Sequence, residues 1–460
     1  MKQPSILFSS LSGEHPSQGT FIPVAARIAA LCGSHHLVGN FFHYRHALSI
    51  LGYDYNEVFT DGRLHLEPQK WADFGPLNFH PGPPKKTAQE VRRSVSRENM
   101  TYYSPDLFLS LRNKVAVKMF HRKRGADFDV IGTEGAQAAM AYVIMTFINP
   151  GDEVIITDPG YFFFEPPVLV AGGKIKKFML RKENGYRIVP QELKRMITGK
   201  TKLIIVCDPI NPFGTVQTKT ELNELLDIAK QKNILLLNNI THAFHTINPR
   251  IRQYSISELS QRYPKNVFTV SGVSHGFGLA GVRIGFLGGA PELLRPVFLL
   301  KSALTRINMS SLAQRAVLSA LDDARYRRQT DTLLRNNFAR LRTIVNSHAR
   351  LSFCIEPSHG YYAAIDTSKI KASAQELTVA LLKRRCAVYP PDGLGEVSAT
   401  SYIRVNFSSP HKKHFDWLRR SLPEAIQEAE SGIYRRAVVR FFQSIGTSRA
   451  LKIAETIQAI

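Results

Sequence analysis

The 460-residue sequence contains no run of about eighteen or more apolar residues, which excludes a membrane-spanning helix. From Met1 to Gly19 there is one lysine and too short an apolar core for a secretory signal, so a soluble, cytoplasmic protein is expected. Cysteine is scarce: Cys32, Cys207, Cys354 and Cys386 are scattered, with no Cys-x-x-Cys pair. That argues against a disulfide framework or a zinc ribbon and for reduced thiols. Acidic residues are also few, 37 against 60 Lys and Arg, for a net charge of +23. The excess falls in short pairs such as Lys85-Lys86, Arg92-Arg93, Arg327-Arg328 and Arg435-Arg436. None is as long as a basic arm and no nucleic-acid motif accompanies them, so a solvated basic surface is expected and nucleic acid is not. An anionic substrate is compatible with that charge. What the chain does have is 44% apolar residues and ordinary Gly and Pro content, enough for a large globular unit.

Short β-branched runs alternate with helical patterns through the middle of the chain. Val154–Thr157 stops at Asp158-Pro159-Gly160, and Leu203–Cys207 stops at Asp208-Pro209. Ile234–Leu237 stops at Asn238-Asn239, and Val267–Val270 stops at Ser271-Gly272. Continuous apolar runs of this length, each ended by a turn, are the pattern of strands buried on both faces. Between two of them, Thr220–Lys230 places Leu222, Leu225, Leu226 and Ala229 on one helical face. The alternation predicts an α/β fold with a mostly parallel central sheet, whose ligands bind beyond the carboxyl ends of its strands. After Leu300 come long helical patterns, Ser311–Leu321 and Thr330–Val345, then short strands near Tyr361–Ile365 and Tyr402–Phe407. The expected organisation is an N-terminal extension over 1–75, a large domain over 76–300, a small α+β domain over 301–430 and a basic amphipathic tail over 431–460. The tail reads as a docking helix in preference to a membrane-surface one.

The turns at the strand ends form an ordered set. Thr133-Glu134-Gly135-Ala136-Gln137 opens a helix, and Asn149-Pro150-Gly151-Asp152 and Asp158-Pro159-Gly160-Tyr161 follow. Then come Asn211-Pro212-Phe213-Gly214, the run Ser274-His275-Gly276-Phe277 through Arg283-Ile284-Gly285, and Tyr402-Ile403-Arg404-Val405-Asn406. In this order the chain resembles, from Leu77 to Ala429, the class I/II aminotransferases, the fold-type-I pyridoxal-phosphate enzymes. The resemblance implies that Gly135, Ala136 and Gln137 hold the cofactor phosphate at a helix N-terminus, where backbone N–H groups favour anions. It further implies that Arg283 grips that phosphate with Ser271 and Ser274 nearby, that Tyr161 stacks on the ring and that Asn211 meets the ring hydroxyl. Arg404 takes a substrate carboxylate, where a bidentate contact is available. Tyr103 resembles the tyrosine that reaches the cofactor phosphate of the other subunit, which implies a homodimer with shared sites.

The departures from the family pattern are chemical. His275 stands where the family has the lysine that bonds its cofactor, and Gly272 where it has a phosphate-contacting serine. Asn238 replaces the aspartate beneath the ring nitrogen, and Thr241 the following tyrosine; a one-residue shift puts Asn239 and His242 there instead and recovers neither. Imidazole cannot form an imine with the cofactor aldehyde, and an uncharged Asn238 supports a protonated ring poorly. Routine transamination is therefore not expected. An imidazole with an ordinary pKa of about 6.5 suits general acid–base work, and His242 and His245 are candidates for a second group.

The expected protein is thus an atypical aminotransferase-like enzyme. It holds a small carboxylate substrate at Arg404 and moves a proton with His275 as base, beside His242 and Thr241. Elimination, cyclisation or condensation of the kind found in specialised metabolism is the expected chemistry, with pyridoxal or pyridoxamine phosphate bound non-covalently. Two other readings stay open. One is a cofactor-free lyase or cyclase, with Arg283 on a substrate anion; the other is a non-catalytic regulatory protein. His35, His36, His43 and His46 cluster near Cys32 without acidic neighbours, and no metal site is expected.

Overall fold

The computed structural model describes residues 44–53, 66–75, 79–259, 261–395 and 399–460. Most of the predicted N-terminal extension lies outside the described residues, as do Cys32, His35, His36 and His43.

Twelve strands are described. β1 is Ala72–Asp73, β2 Asp129–Thr133, β3 Glu153–Asp158, β4 Lys174–Met179, β5 Thr201–Cys207, β6 Leu235–Asn239, β7 Val267–Gly272 and β8 Gly285–Gly289. β9 is Ser352–Phe353, β10 Tyr362–Asp366, β11 Cys386–Ala387 and β12 Tyr402–Asn406. Seven of them form one sheet in the order β2-β8-β7-β6-β5-β3-β4, in which β8 alone runs antiparallel to its neighbours. The mostly parallel sheet expected from the sequence is present. Downstream, β12, β10 and β9 form an antiparallel sheet, and β1 pairs in parallel with β11.

Helices cover both faces of the large sheet, which is why its inner strands β3, β5, β6 and β7 carry apolar runs facing both sides. Helix α1, Ala136–Phe147, packs Ala139, Val143 and Ile144 with Leu203, Ile205, Leu237 and Val270. Helix α2, Lys219–Gln231, packs Leu222, Leu225 and Ala229 against the opposite face with Ile204, Val206 and Leu236. Each fully buried Leu or Ile contributes about 1.5–3 kcal/mol, so these two layers dominate the fold's stability. A capping box starts α2: the Thr218 hydroxyl accepts from Glu221 N, and the Glu221 carboxylate accepts from Thr218 N at 2.7 Å.

Helix α3, Ala324–Asn346, begins six residues before the expected Thr330 because the Asp323 carboxylate accepts from Tyr326 N at 3.0 Å and caps it there. Helices α4, Ala374–Lys383, and α5, Lys412–Glu430, flank the small sheet region. The tail forms two helices, α6 over Arg435–Ile445 and α7 over Ser448–Ala459. Gly446, at φ 71°, breaks them and Thr447 caps the second. Their apolar faces are buried through Val438, Val439, Phe442, Ile453 and Ile457. No helix among the described residues is long and apolar enough to cross a membrane.

Candidate active site

β2, β3, β5, β6 and β7 bring their polar turns to one edge of the sheet, and the site is built there. At β2 the chain turns through Gly135, whose φ of 101° only glycine adopts without strain, into α1. A Cβ on Gly135 would stand 2.9 Å from the Arg283 guanidinium, and a Cβ on Gly285 would collide with Ala136 N. These two glycines let the N–H groups of α1 and the Arg283 side chain converge. Arg283 itself sits in the left-handed region at φ 55°, donating to the carbonyls of Ala280 and Glu134. Ala136 and Gln137, in the first turn of α1, are half-buried, as is Ser274. A cradle of this kind fits a phosphate or other anion.

Strand alternation corrects one expectation here. Gly272 faces α1, its absent Cβ 3.4 Å from that of Ala136, and so occupies the family serine's place. Ser271, one residue earlier, turns to the opposite face and lines a cavity of 570 Å³ with Gly272, Thr241, Gln253 and Arg327. Its hydroxyl therefore does not substitute for the missing serine.

The same alternation decides the register on β6. Asn238, expected beneath the ring nitrogen, lies instead on the α2 face, where its Oδ1 accepts from Ile256 N at 3.3 Å. Asn239 faces α1, with Nδ2 at 3.6 Å from Met140 Sδ on that helix. Thr241, expected to be catalytic, supports Asn239, donating to its Oδ1 from both N, at 3.0 Å, and Oγ1. With Oδ1 so occupied, the amide presents only N–H donors and carries no negative charge with which to balance a cation.

Tyr161, at the start of the turn after β3, packs against the α1-side core and meets Phe164 at 5.3 Å between ring centroids. Arg404 on β12 is 4% exposed. Its guanidinium donates to Asn211 Oδ1 at 2.9 Å and lies over the rings of Tyr362 and Tyr389, 4.2 and 4.7 Å from their centroids. Its Nε is buried with no hydrogen-bond partner. A buried cation with an unused donor beside two aromatic walls is a receptor for an anion.

His275 stands at the centre. Its Nδ1 is hydrogen-bonded to the Tyr361 hydroxyl, which in turn accepts from Tyr362 at 3.5 Å. His242 lies alongside, its ring centroid 4.6 Å from that of His275 and its Nδ1 buried without a partner. Burial and the charges of Arg404 and Arg283 push the His275 pKa down to about 4. His242 is driven well below its ordinary value by burial, then by His275 and Arg404. Burial raises both tyrosines. The cleft therefore holds two neutral imidazoles and two protonated phenols. In the tautomer that carries its proton on Nδ1, the His275 ring donates to the Tyr361 oxygen and leaves Nε2 as the basic nitrogen.

His245 does not join this pair. It is 1% exposed, with Nδ1 2.8 Å from Asp331 Oδ1 and Nε2 3.1 Å from Gly276 O, and it anchors the His275 turn. Tyr103 is 77% exposed, with Arg306 over its ring, outside the cleft of this chain. The His46 ring packs tilted at 45° against Phe441 of α6, centroids 4.1 Å apart, and no group of three His, Cys, Asp or Glu among the described residues could hold a metal. Tyr361, Tyr362 and Tyr389 are the site residues that sequence reasoning missed; the available signal was the aromatic pair after Gly360 at the start of a strand.

A glycine-made cradle at a helix N-terminus, an aromatic wall and a buried arginine stand together at the carboxyl edge of a mostly parallel sheet, an arrangement of fold-type-I architecture. The chain belongs to the aminotransferase class I and II family, whose model matches residues 76–419. Aromatic-amino-acid aminotransferase 2 of Thermococcus litoralis is 26% identical over 360 residues, covering 76% of this chain and 89% of that protein. An aspartate aminotransferase of Bacillus subtilis is 29% identical, covering 71% and 84%. Among solved structures, N-succinyldiaminopimelate aminotransferase of Mycobacterium tuberculosis superposes with a TM-score of 0.70 at 22% identity, covering 78% of this chain and 94% of that one. The fold class expected from the sequence is thereby confirmed.

Proposed function

We propose that this protein is an aminotransferase-family enzyme that binds pyridoxal or pyridoxamine phosphate without a covalent link and transfers protons on a small carboxylate-bearing substrate. The observation carrying this reading is His275, paired with His242 and wired to Tyr361 at the family's lysine position. Gly135, Ala136, Gln137, Ser274 and Arg283 hold the phosphate, Tyr161 stacks on the ring, and Asn211 and Asn239 meet its polar edge. The glycine-made cradle and the unpartnered Arg404 Nε fit this ligand pair. When bound, the cofactor supplies an electron-withdrawing ring, weakened here by an amide in place of a carboxylate. Arg404 orients the substrate carboxylate. That anion offsets the Arg404 charge which, after burial, depresses His275, and so raises the imidazole's basicity once substrate arrives. His275 then takes a proton at Nε2, with Nδ1 donating to Tyr361. A homodimer in which Tyr103 completes the other subunit's site belongs to this reading.

The test is the absorption spectrum of dialysed protein titrated with each cofactor form, beside His275→Lys. Saturable binding by the wild type without an imine band, and appearance of the band in the variant, is the expected result. Failure of the wild type to bind either form overturns the cofactor reading in favour of a cofactor-free site. A full amino-group exchange between an amino acid and a keto acid overturns the exclusion of transamination.

A further inference from the structure

The hairpin of α6 and α7 lies beyond the 76–419 span matched by the family model, yet it reaches the site in two steps. Arg449, in the first turn of α7, donates from Nη2 to the carbonyls of both Asp392 and Gly395. Those carbonyls belong to a strap, Tyr389 to Gly395, that joins the two walls of the cleft.

At one end of the strap, Tyr389 exchanges backbone hydrogen bonds with Arg404, 3.0 and 2.7 Å, and lays its ring against that guanidinium. At the other, Leu394 O accepts from Gly160 N at 2.6 Å, one residue before Tyr161. Gly395 packs so closely there that a Cβ would meet Pro159 Cα at 2.8 Å. From inside the domain, Gln375 of α4, fully buried, donates to Asp392 Oδ1 at 3.0 Å and to Ala399 O at 2.8 Å. The strap is thus held on its inner side by Gln375 and on its outer side by Arg449.

We infer that the C-terminal hairpin is a brace, and that Arg449 is a positioning residue that fixes Tyr161 relative to Arg404 through the strap. A guanidinium bridging two carbonyls is a charge-assisted contact with fixed geometry, suited to holding the turn between Asp392 and Gly395. Tyr161 and Arg404 are the ring wall and the carboxylate receptor of the proposed function, on which the ligand arm of the test rests. The hydrogen-exchange arm does not depend on it.

The experiment uses full-length Arg449→Gln and Arg449→Lys. Exchange of the peptide containing Gly160 is expected to quicken about tenfold in Arg449→Gln, the equivalent of one lost charge-assisted hydrogen bond, while α6 around Val439 stays protected. Arg449→Lys, which keeps a donor for both carbonyls, recovers most of the protection. Pyridoxal phosphate binding, followed by absorption, weakens about tenfold in Arg449→Gln. Added to Tyr161→Leu, the same substitution costs less than about twofold, because the residue it positions is gone. Unchanged exchange at Gly160 overturns the brace whatever the cofactor result, as does a full and additive loss in the Tyr161→Leu background. Loss of protection throughout α6 in both variants also overturns it, making Arg449 a folding residue only. A wild type that binds no cofactor form rejects the proposed function, and the exchange result then judges the brace alone.

Discussion

Replacing His275 by Gln tests the charge state of the cleft directly. His275 has an ordinary pKa of 6.5 when unfolded and about 4 when folded, lowered first by burial and then by Arg404 and Arg283. The unfolded chain therefore binds more protons than the folded one between these values, and stability falls as pH falls through that window. The full gap corresponds to about 3 kcal/mol, of which about 2 kcal/mol is already lost at pH about 5 and almost none at pH about 7.5. Gln at 275 keeps a group that can hydrogen-bond Tyr361 and carries no titration. Denaturant midpoints of wild type and His275→Gln, compared at these two pH values, report the contribution of His275 together with its coupling to His242. The wild type is expected to lose about 2 kcal/mol more than the variant on acidification. An independent check is the His275 ring Cε1–H resonance, whose titration should centre near 4 in the free protein. Occupancy of Arg404 by a carboxylate should move it upward. Parallel acid sensitivity of the two proteins, or a resonance that titrates at the ordinary 6.5, refutes the reasoning.

Other perturbations have defined outcomes. Arg404→Gln removes the carboxylate receptor and should weaken binding of simple amino or keto acids by about ten- to a hundredfold, measured by calorimetry, with thermal stability little changed. Gly285→Ala drives a methyl into Ala136 N and should abolish saturable pyridoxal phosphate binding seen by absorption; normal binding would show that the cradle is not the phosphate site. Lys301 is fully buried and paired with Asp106 at 3.1 Å, an aspartate that also accepts from Arg112 at 3.0 Å. Lys301→Met should cost about 2 kcal/mol in a denaturant titration, below the ~3–5 kcal/mol of a charge left wholly unpaired, because Arg112 remains.

Much of this architecture was legible in the sequence because it is local. Apolar runs ended by turns determined the strands, since a strand buried on both faces has to be apolar throughout. The order of the turns determined the family and brought Gly135, Tyr161, Asn211, His275, Arg283 and Arg404 to one edge. Within a strand, however, sequence alone left a one-residue ambiguity, and a shift of one residue exchanges faces. Only pairing in the sheet could settle that Asn239 turns to the α1 side while Asn238 and Ser271 turn away. Contacts between distant segments were equally invisible. Tyr361 meets His275 across 86 positions, and Arg449 meets Asp392 across 57. Chemical type is written in the chain, so the absence of an amine at position 275 was fixed there. Its protonation was not, because the burial and the two arginines that hold His275 neutral are properties of the folded cleft.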